Sequence, residues 1–437
     1  DHRMPPRGRP HATLQLADKN ADAHIEAVAN LRNPIPEFST KTLIKHLNTS
    51  ALGLYKWDYT FDAAINADIK GSNLDDMSGT VQVADAHFTK NDTTLHLKLL
   101  DLVFDQSVGD HKTLALKSDV ADLTITGNFQ PTQVPSGIMR FVNRYYHAFP
   151  DTVPTNVPPQ QLAFELHTKD ISLLQKLYLP DLKGLDSSTI IGSLDEQKDT
   201  LLVEARLNNL KYGDYLIEQI DLNSDNKDGK IQTELNVVQL HIIKSDSPET
   251  VLPSIDLTAY ISNDSLLLGA MVMTDTSTTA LAISNLLIAL EEEDILIELL
   301  GNEIVLNNNS WNIQPDNLVK IMPNGIVVKN FKLGYANGLI AINNKEEGNG
   351  LSPLQLQISD FDLKDISQLV GLDSLELSGL LNGEVEAANP MGDLKATAHV
   401  DLTELVYSGM KLGDVVLKTE YEKSGKIPID LKISGGD

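Results

Sequence analysis

The sequence predicts an all-β chain: an elongated, curled repeat sheet around an apolar groove, with a few short helices. Three observations carry that expectation. Apolar and polar residues alternate with period two through most of the chain, which places one face of each strand in an apolar environment and the other in water. The pattern also repeats. Leu207, Leu210, Tyr212, Ile217, Ile220 and Leu222 recur 195 residues later as Leu402, Leu405, Tyr407, Leu412, Val415 and Leu417. Asp170-Ile171-Ser172 recurs at the same offset as Asp365-Ile366-Ser367, and Gly229-Lys230-Ile231 recurs, one insertion later, as Gly425-Lys426-Ile427. Finally, helix signals are scarce and short, so little is offered to cover so many strands.

Clear strand patterns occupy residues 95–99, 123–126, 231–237, 255–259, 354–358 and 427–433. The connections between them are rich in Gly, Asn and Asp, as turns require. Pro428 inside a strand pattern predicts an edge or a bulge, because its nitrogen cannot donate to a ladder. Three helices are expected, and the first has a repeat partner that begins at Asp365. Residues 170–179 follow an Asp cap and put Ile171, Leu174, Leu177 and Tyr178 on one stripe. Residues 136–149 are the most amphipathic, with Ile138, Phe141, Val142, Tyr145 and Phe149 on the apolar side. Residues 40–47 form the third. Residues 279–300 suit either helix or strand, and the alternation of their neighbours favours strands.

The Pro-rich stretch 150–159 is the best boundary, and a weaker break falls at 343–353. The expected organisation is a disordered arm over 1–11 and a first β-repeat region over 12–149, ending in the amphipathic helix. A second β-repeat region covers 160–348 and a truncated third covers 349–437. The chain opens on Asp1-His2-Arg3 without an apolar leader and stops just after a strand pattern, so it is expected to be an internal piece of a longer protein.

Composition narrows function. With 35 basic and 61 acidic residues the net charge is −26, which disfavours nucleic acid as a partner because phosphates need clustered cations. The absence of cysteine removes disulfides, thiolate metal sites and thiol nucleophiles. No stretch of about 18 apolar residues is present to span a membrane as a helix. The run 224–229 imitates the start of a calcium loop, but its twelfth position is Leu235, which cannot chelate; a polar hairpin turn is expected there. The eleven histidines have no metal spacing, and His96, His241 and His399 fall on polar strand registers. Glu291-Glu292-Glu293-Asp294 is expected to be a solvated turn. No nucleophile elbow, phosphate loop or dinucleotide fingerprint occurs, so no enzyme, cofactor or metal site is expected.

What remains is the apolar register. Its candidate groove-lining residues are Leu95, Leu97, Leu99, Leu123, Ile125, Val203, Ala205, Leu207, Leu235 and Val237. Further along come Leu354, Leu356, Ile358, Leu394, Ala396, Ala398, Val400, Ile427, Ile429 and Leu431. Such faces close a core if two sheets stack; left open, they would hold something apolar, and acyl chains are the natural occupant.

Several phrases carry a family likeness. The stretch 377–402 (LSGLLNGEVEAANPMGDLKATAHVDL) is followed by Leu405-Val406-Tyr407 and Leu412-Gly413-Asp414. Trp311-Asn312-Ile313-Gln314-Pro315 leads to Ile326-Val327-Val328-Lys329-Asn330-Phe331. These resemble the TamB proteins of Gram-negative envelopes, within the AsmA-like group. Met77-Ser78-Gly79-Thr80-Val81 and residues 123–129 are similar to Bacteroidota members. The resemblance covers about residues 12–433. It implies a β-taco groove in the periplasm, on a parent protein anchored in the inner membrane. It further implies carriage of phospholipid or another acyl-chain lipid toward the outer membrane, with a TamA-type barrel protein as partner. The family's membrane anchor and partner-binding domain have no match here, so both belong to the expected parent chain. Two rival readings stand beside this: a β-sandwich surface or adhesin-like array, and a chaperone trough for outer-membrane proteins.

Overall fold

A computed structural model describes residues 11–54, 59–90, 93–108, 111–147, 157–179, 181–243, 248–274, 278–369, 376–421 and 427–436. The expected arm therefore lies outside the described residues, except that His11 opens the first strand. Strands account for 68% of the chain and helices for 6%, so the all-β expectation holds. Every described pairing of strands is antiparallel, as hairpin-by-hairpin chain growth dictates.

Two compact units are present, residues 1–144, 148–228 and 235–251 in the first, and 145–147, 229–234 and 252–437 in the second. The first unit begins with β1 (His11–Asp18), β2 (Ala21–Asn30), β3 (Glu37–Asn48), β4 (Thr60–Lys70) and β5 (Ser78–Lys90). It continues with β6 (Thr93–Val108), β7 (His111–Ser118), β8 (Ala121–Asn128) and β9 (Gln161–Thr168). Then come β10 (Leu182–Lys183), β11 (Thr189–Asp195), β12 (Thr200–Tyr212) and β13 (Tyr215–Lys227). β14 (Lys230–Val237) is divided, with residues 230–234 counted in the second unit and 235–237 in the first, and is followed by β15 (Leu240–Ile242) and β16 (Thr250–Leu252). Strands β1 to β9, then β11, β12, β13 and β15, pair each with the next.

The second unit holds β17 (Ser254–Ser262), β18 (Ser265–Met273), β19 (Thr279–Glu291) and β20 (Asp294–Leu299). Shorter strands follow: β21 (Glu303–Leu306), β22 (Asn309–Ile313), β23 (Leu318–Met322), β24 (Gly325–Lys329) and β25 (Phe331–Tyr335). The last six are β26 (Gly338–Asn344), β27 (Leu354–Asp362), β28 (Leu377–Ala388), β29 (Lys395–Tyr407), β30 (Met410–Tyr421) and β31 (Ile429–Ser434). The ambiguous stretch is thus a hairpin, β19–β20, and its acidic run is the turn; Lys320 Nζ sits 2.8 Å from Asp294 and 3.7 Å from Glu291. Residues 224–227 close β13 and Asp228-Gly229 are the turn that leads to β14, and Pro428 directly precedes β31, which pairs with β30 alone among the described strands.

Helices α1 (Val134–Asn143), α2 (Ser172–Tyr178) and α3 (Leu363–Leu369) each occupy a connection between two strands that pair with each other: β8–β9, β9–β11 and β27–β28. Two expected stripes need correction. On α2 the buried residues are Ile171, Leu173 and Leu177, whereas Leu174 and Tyr178 are exposed. The helix is only two turns long, and the turn before it, not an ideal stripe, decides which side chains reach the sheet. On α1, Phe141 and the following Tyr145 are buried but Ile138 is exposed; Phe149 lies outside the described residues.

The third expected helix, 40–47, is strand β3. Its pairing with β4 shifts by one residue between Ile44 and Leu47, where an extra residue bulges. The bulge moves the next inward side chain to a spacing of three, which imitates a helical stripe in sequence.

Candidate functional site

In the first unit, register turns single alternations into continuous files. Residues Ala27, Thr40, Ala67, Val81, Leu102, Leu116, Leu123, Leu166, Ile190, Ala205 and Leu222 are lateral neighbours, one from each of eleven successive strands. At about 4.8 Å per strand the file runs about 48 Å along the sheet. Two residues along each strand, on the same face, a second file runs through Ile69, Gly79, Phe104, Leu114, Ile125, Phe164, Gly192 and Val203 to Ser224.

One residue away, on the other face, the file reads Glu26, Lys41, Asn66, Gln82, Asp101, Lys117, Asp122, His167, Thr189, Arg206 and Asp221. Opposite charges sit side by side there. Arg206 Nε donates to Asp221 at 2.8 Å and Lys169 Nζ to Asp122 at 2.6 Å, and each lysine or arginine holds its carboxyl below the usual range. An entirely polar file beside an almost entirely apolar one defines the two faces.

The apolar file is half-buried throughout, apart from the buried Ala67. Side chains under a stacked second layer would be sealed, as core residues are. Sealing occurs beneath α2. Helix α2 lays Ile171, Leu173 and Leu177 on Ala63, Ala86, Leu95, Leu97 and Val120, with Ile65, Val83 and Leu100 packed around them. Burying each such aliphatic side chain contributes about 2 kcal/mol.

Candidate residues Leu95 and Leu97 therefore lie beneath a helix. Leu99 is 40% exposed, and from Leu100 onward the inward apolar positions of β6 are the even-numbered Leu100, Leu102 and Phe104. The phase switch is local. The Asp119 carboxylate accepts the backbone N–H groups of Lys98 and Leu99, at 3.2 and 3.4 Å, and beside them Asp85 of β5 takes φ 47°. Strict alternation read straight through this point assigns Leu99 to the wrong face. Leu123, Ile125, Val203, Ala205 and Leu207 all share the half-buried face; Leu235 is half-buried and Val237 buried on β14.

The second unit repeats the arrangement. Ile313, Leu333, Ile340, Ile358, Gly383, Val400, Leu417 and Leu431 form one file, and Phe331, Ile342, Leu356, Val385, Ala398, Thr419 and Ile429 the next. Leu354 and Ala396 extend the face by way of Ala387. Behind it run Gln357, Glu384, His399, Lys418 and Asp430, all exposed. Leu394 and Ile427 fall outside the strands and are exposed, and Ile429 and Leu431, on β31, are exposed as well.

Periodicity gave no hint of an aromatic pocket at the end of this face. Trp311, Tyr335, Ile340, Ile358, Phe361, Asp365 and Leu381 enclose about 230 Å³ with no polar lining surface. The Trp311 ring centroid is 5.2 Å from that of Tyr335 and 5.6 Å from that of Phe361. Trp311 and Phe361 are buried, and Asp365 comes from α3. Among the described residues, Trp311 Nε1 is the buried side-chain polar atom without a hydrogen-bond partner.

Histidine placement follows the polar registers with one exception. His96 and His399 are exposed, and the His96 ring stacks on His87 at 4.3 Å. His241 has only 16% of its side chain accessible and is clamped between Glu249 (2.6 Å) and Glu218 (3.3 Å), which raises its pKa. No group of three potential metal ligands occurs among the described residues, and no helix is long and apolar enough to cross a membrane. Comparison with protein-family models, with characterised proteins and with solved structures finds no match to this chain.

Proposed function

We propose that this chain is a non-enzymatic segment of a bridge-like envelope protein of the TamB type. In this reading it lies in the periplasm of a Gram-negative bacterium, and its sheet curls into a trough whose apolar face carries phospholipid acyl chains toward the outer membrane. The parent protein would be anchored in the inner membrane and would meet a TamA-type barrel through other parts. One observation supports the reading most: an eleven-residue file, apolar but for Thr40 and half-buried but for Ala67, backed one residue away by a fully polar file. A closed sandwich would bury that file completely. An aliphatic wall without fixed polar groups suits a chain that slides, since no step along it costs a hydrogen bond.

The test is lipid extraction and native mass spectrometry of the purified full chain. Bound phospholipid is expected, and its loss is expected in Leu123→Asp, Val203→Asp and Ala398→Asp with the circular dichroism of a folded β protein retained. A chain that carries no lipid, or whose three variants all unfold, would point instead to a closed core.

A further inference from the structure

We propose that the exposed flank of helix α2, Leu174 with Tyr178, is a side wall of the apolar trough and touches an acyl chain lying at the foot of the helix. The proposal rests on the lipid reading above and adds to it a contact that lies off the sheet.

The helix itself displays what this face accepts. Ile171, Leu173 and Leu177 lie on Ala63, Ala86, Leu95 and Leu97, so aliphatic side chains already occupy part of the floor. Ala63, Ile65 and Ala67 alternate on one face of β4, and the floor under α2 therefore runs straight on into the first file. Between the two lies a row of lateral neighbours, Ile65, Val83 and Leu100, half-buried and packed along the helix. A chain lying on that row would meet the sheet below it and α2 beside it.

The two flanks of α2 differ in chemistry. Successive helical residues are about 100° apart, so Leu174 and Tyr178 stand about a quarter-turn round from the buried Leu173 and Leu177. They are 44% and 61% exposed. Ser172 and Lys176 stand a quarter-turn the other way. That flank is polar: Ser172 hydrogen bonds, with help from Lys176, hold the Asp170 carboxyl below its usual range. Turning the polar flank to water at the rim puts the apolar flank over the uncovered row. Tyr178 there supplies a ring with a polar end, the kind of side chain used where an apolar chain meets water. The charge of −26 opposes a second copy of this chain as the occupant, whereas an acyl chain meets no such repulsion.

The test uses the full chain loaded with phosphatidylethanolamine that carries a photoreactive diazirine midway along one acyl chain. Irradiation should label Leu174 or Tyr178 together with Ile65 or Leu100, and should leave Lys176 unlabelled. The double variant Leu174→Ser, Tyr178→Ser should retain the probe about tenfold less tightly, as the loss of roughly two buried methylene groups gives. Lys176→Ser should match the unaltered chain. Label on Leu102 or Leu123 with none on α2, or unchanged retention in the double variant, would overturn the wall and leave lipid carriage standing. Dimers that the double variant disperses would assign the flank to a second copy and overturn the wall as well. A chain that takes up no probe would overturn both readings. If the double variant fails to fold, the labelling pattern of the unaltered chain still decides.

Discussion

At the scale of single residues, the informative positions are those where the surroundings change what a side chain can do. His241 is one. The hydrogen bond that His241 donates to Glu249, aided by Glu218, favours the imidazolium, so the folded chain holds this proton more tightly than the unfolded chain does. Its stabilising contribution is therefore fully present below the ordinary value of 6.5 and is lost as pH rises through the higher folded value. An NMR titration should place the His241 midpoint above 6.5, and Glu249→Gln should lower it. Glu404 is another. It occupies the left-handed region at φ 52°, where a side chain costs about 1 kcal/mol, so Glu404→Gly should be neutral or stabilising by up to that amount in urea denaturation. Asn209, its counterpart 195 residues earlier, takes φ 51°, with a residue type that tolerates this conformation.

Individual elements show which contacts hold the sheet's attachments. Helix α1 is fastened by charge. Glu196, 1% accessible, receives Arg140 at 2.8 Å and the backbone N–H of Gln160 at 2.6 Å, while Arg144 Nη1 donates to the Glu196 carbonyl. Glu196→Ala strands Arg140 in a largely buried setting and should cost about 3 kcal/mol, read from the denaturant midpoint. Helix α2 is fastened by grease. Leu177→Ala should also cost about 3 kcal/mol, through lost burial and the void it leaves.

These elements also mark where sequence reasoning succeeds and stops. Period-two runs located β6, β8, β14, β17 and β27, and resolved β19–β20 against a helical alternative, because alternation is the direct imprint of a pleated strand. Bulges leave no such imprint. Ile44 to Leu47 looked helical and Leu99 looked inward because one extra residue in a strand changes the phase of everything after it. The Trp311 pocket was illegible for a different reason: its walls come from β22, β25, β26, β27, β28 and α3, and only pairing brings them together.

For the whole molecule, the balance of −26 and an uncovered apolar face act together. Acidic self-repulsion keeps molecules apart, so an apolar face can remain open without driving association. If the face carries lipid as proposed, mixed-lipid loading should show little head-group selectivity; 0.5 M salt should increase self-association, measurable by sedimentation. A marked preference for one head group would argue for fixed polar contacts that the files lack.

The phase switches near Ile44, Asp85 and Lys98 occur on β3, β5 and β6, with the unswitched β4 between the first two. Between β5 and β6 the two changes match, so Ala84 still faces Leu99 and Ala86 still faces Leu97; against β4 each extra residue is taken up as a register shift. Deleting Asp85 alone should thus be far more damaging than deleting Asp85 together with Lys98. Insertions and deletions in such a sheet ought to be inherited in coupled sets, as a kind of frameshift and suppressor written in three dimensions.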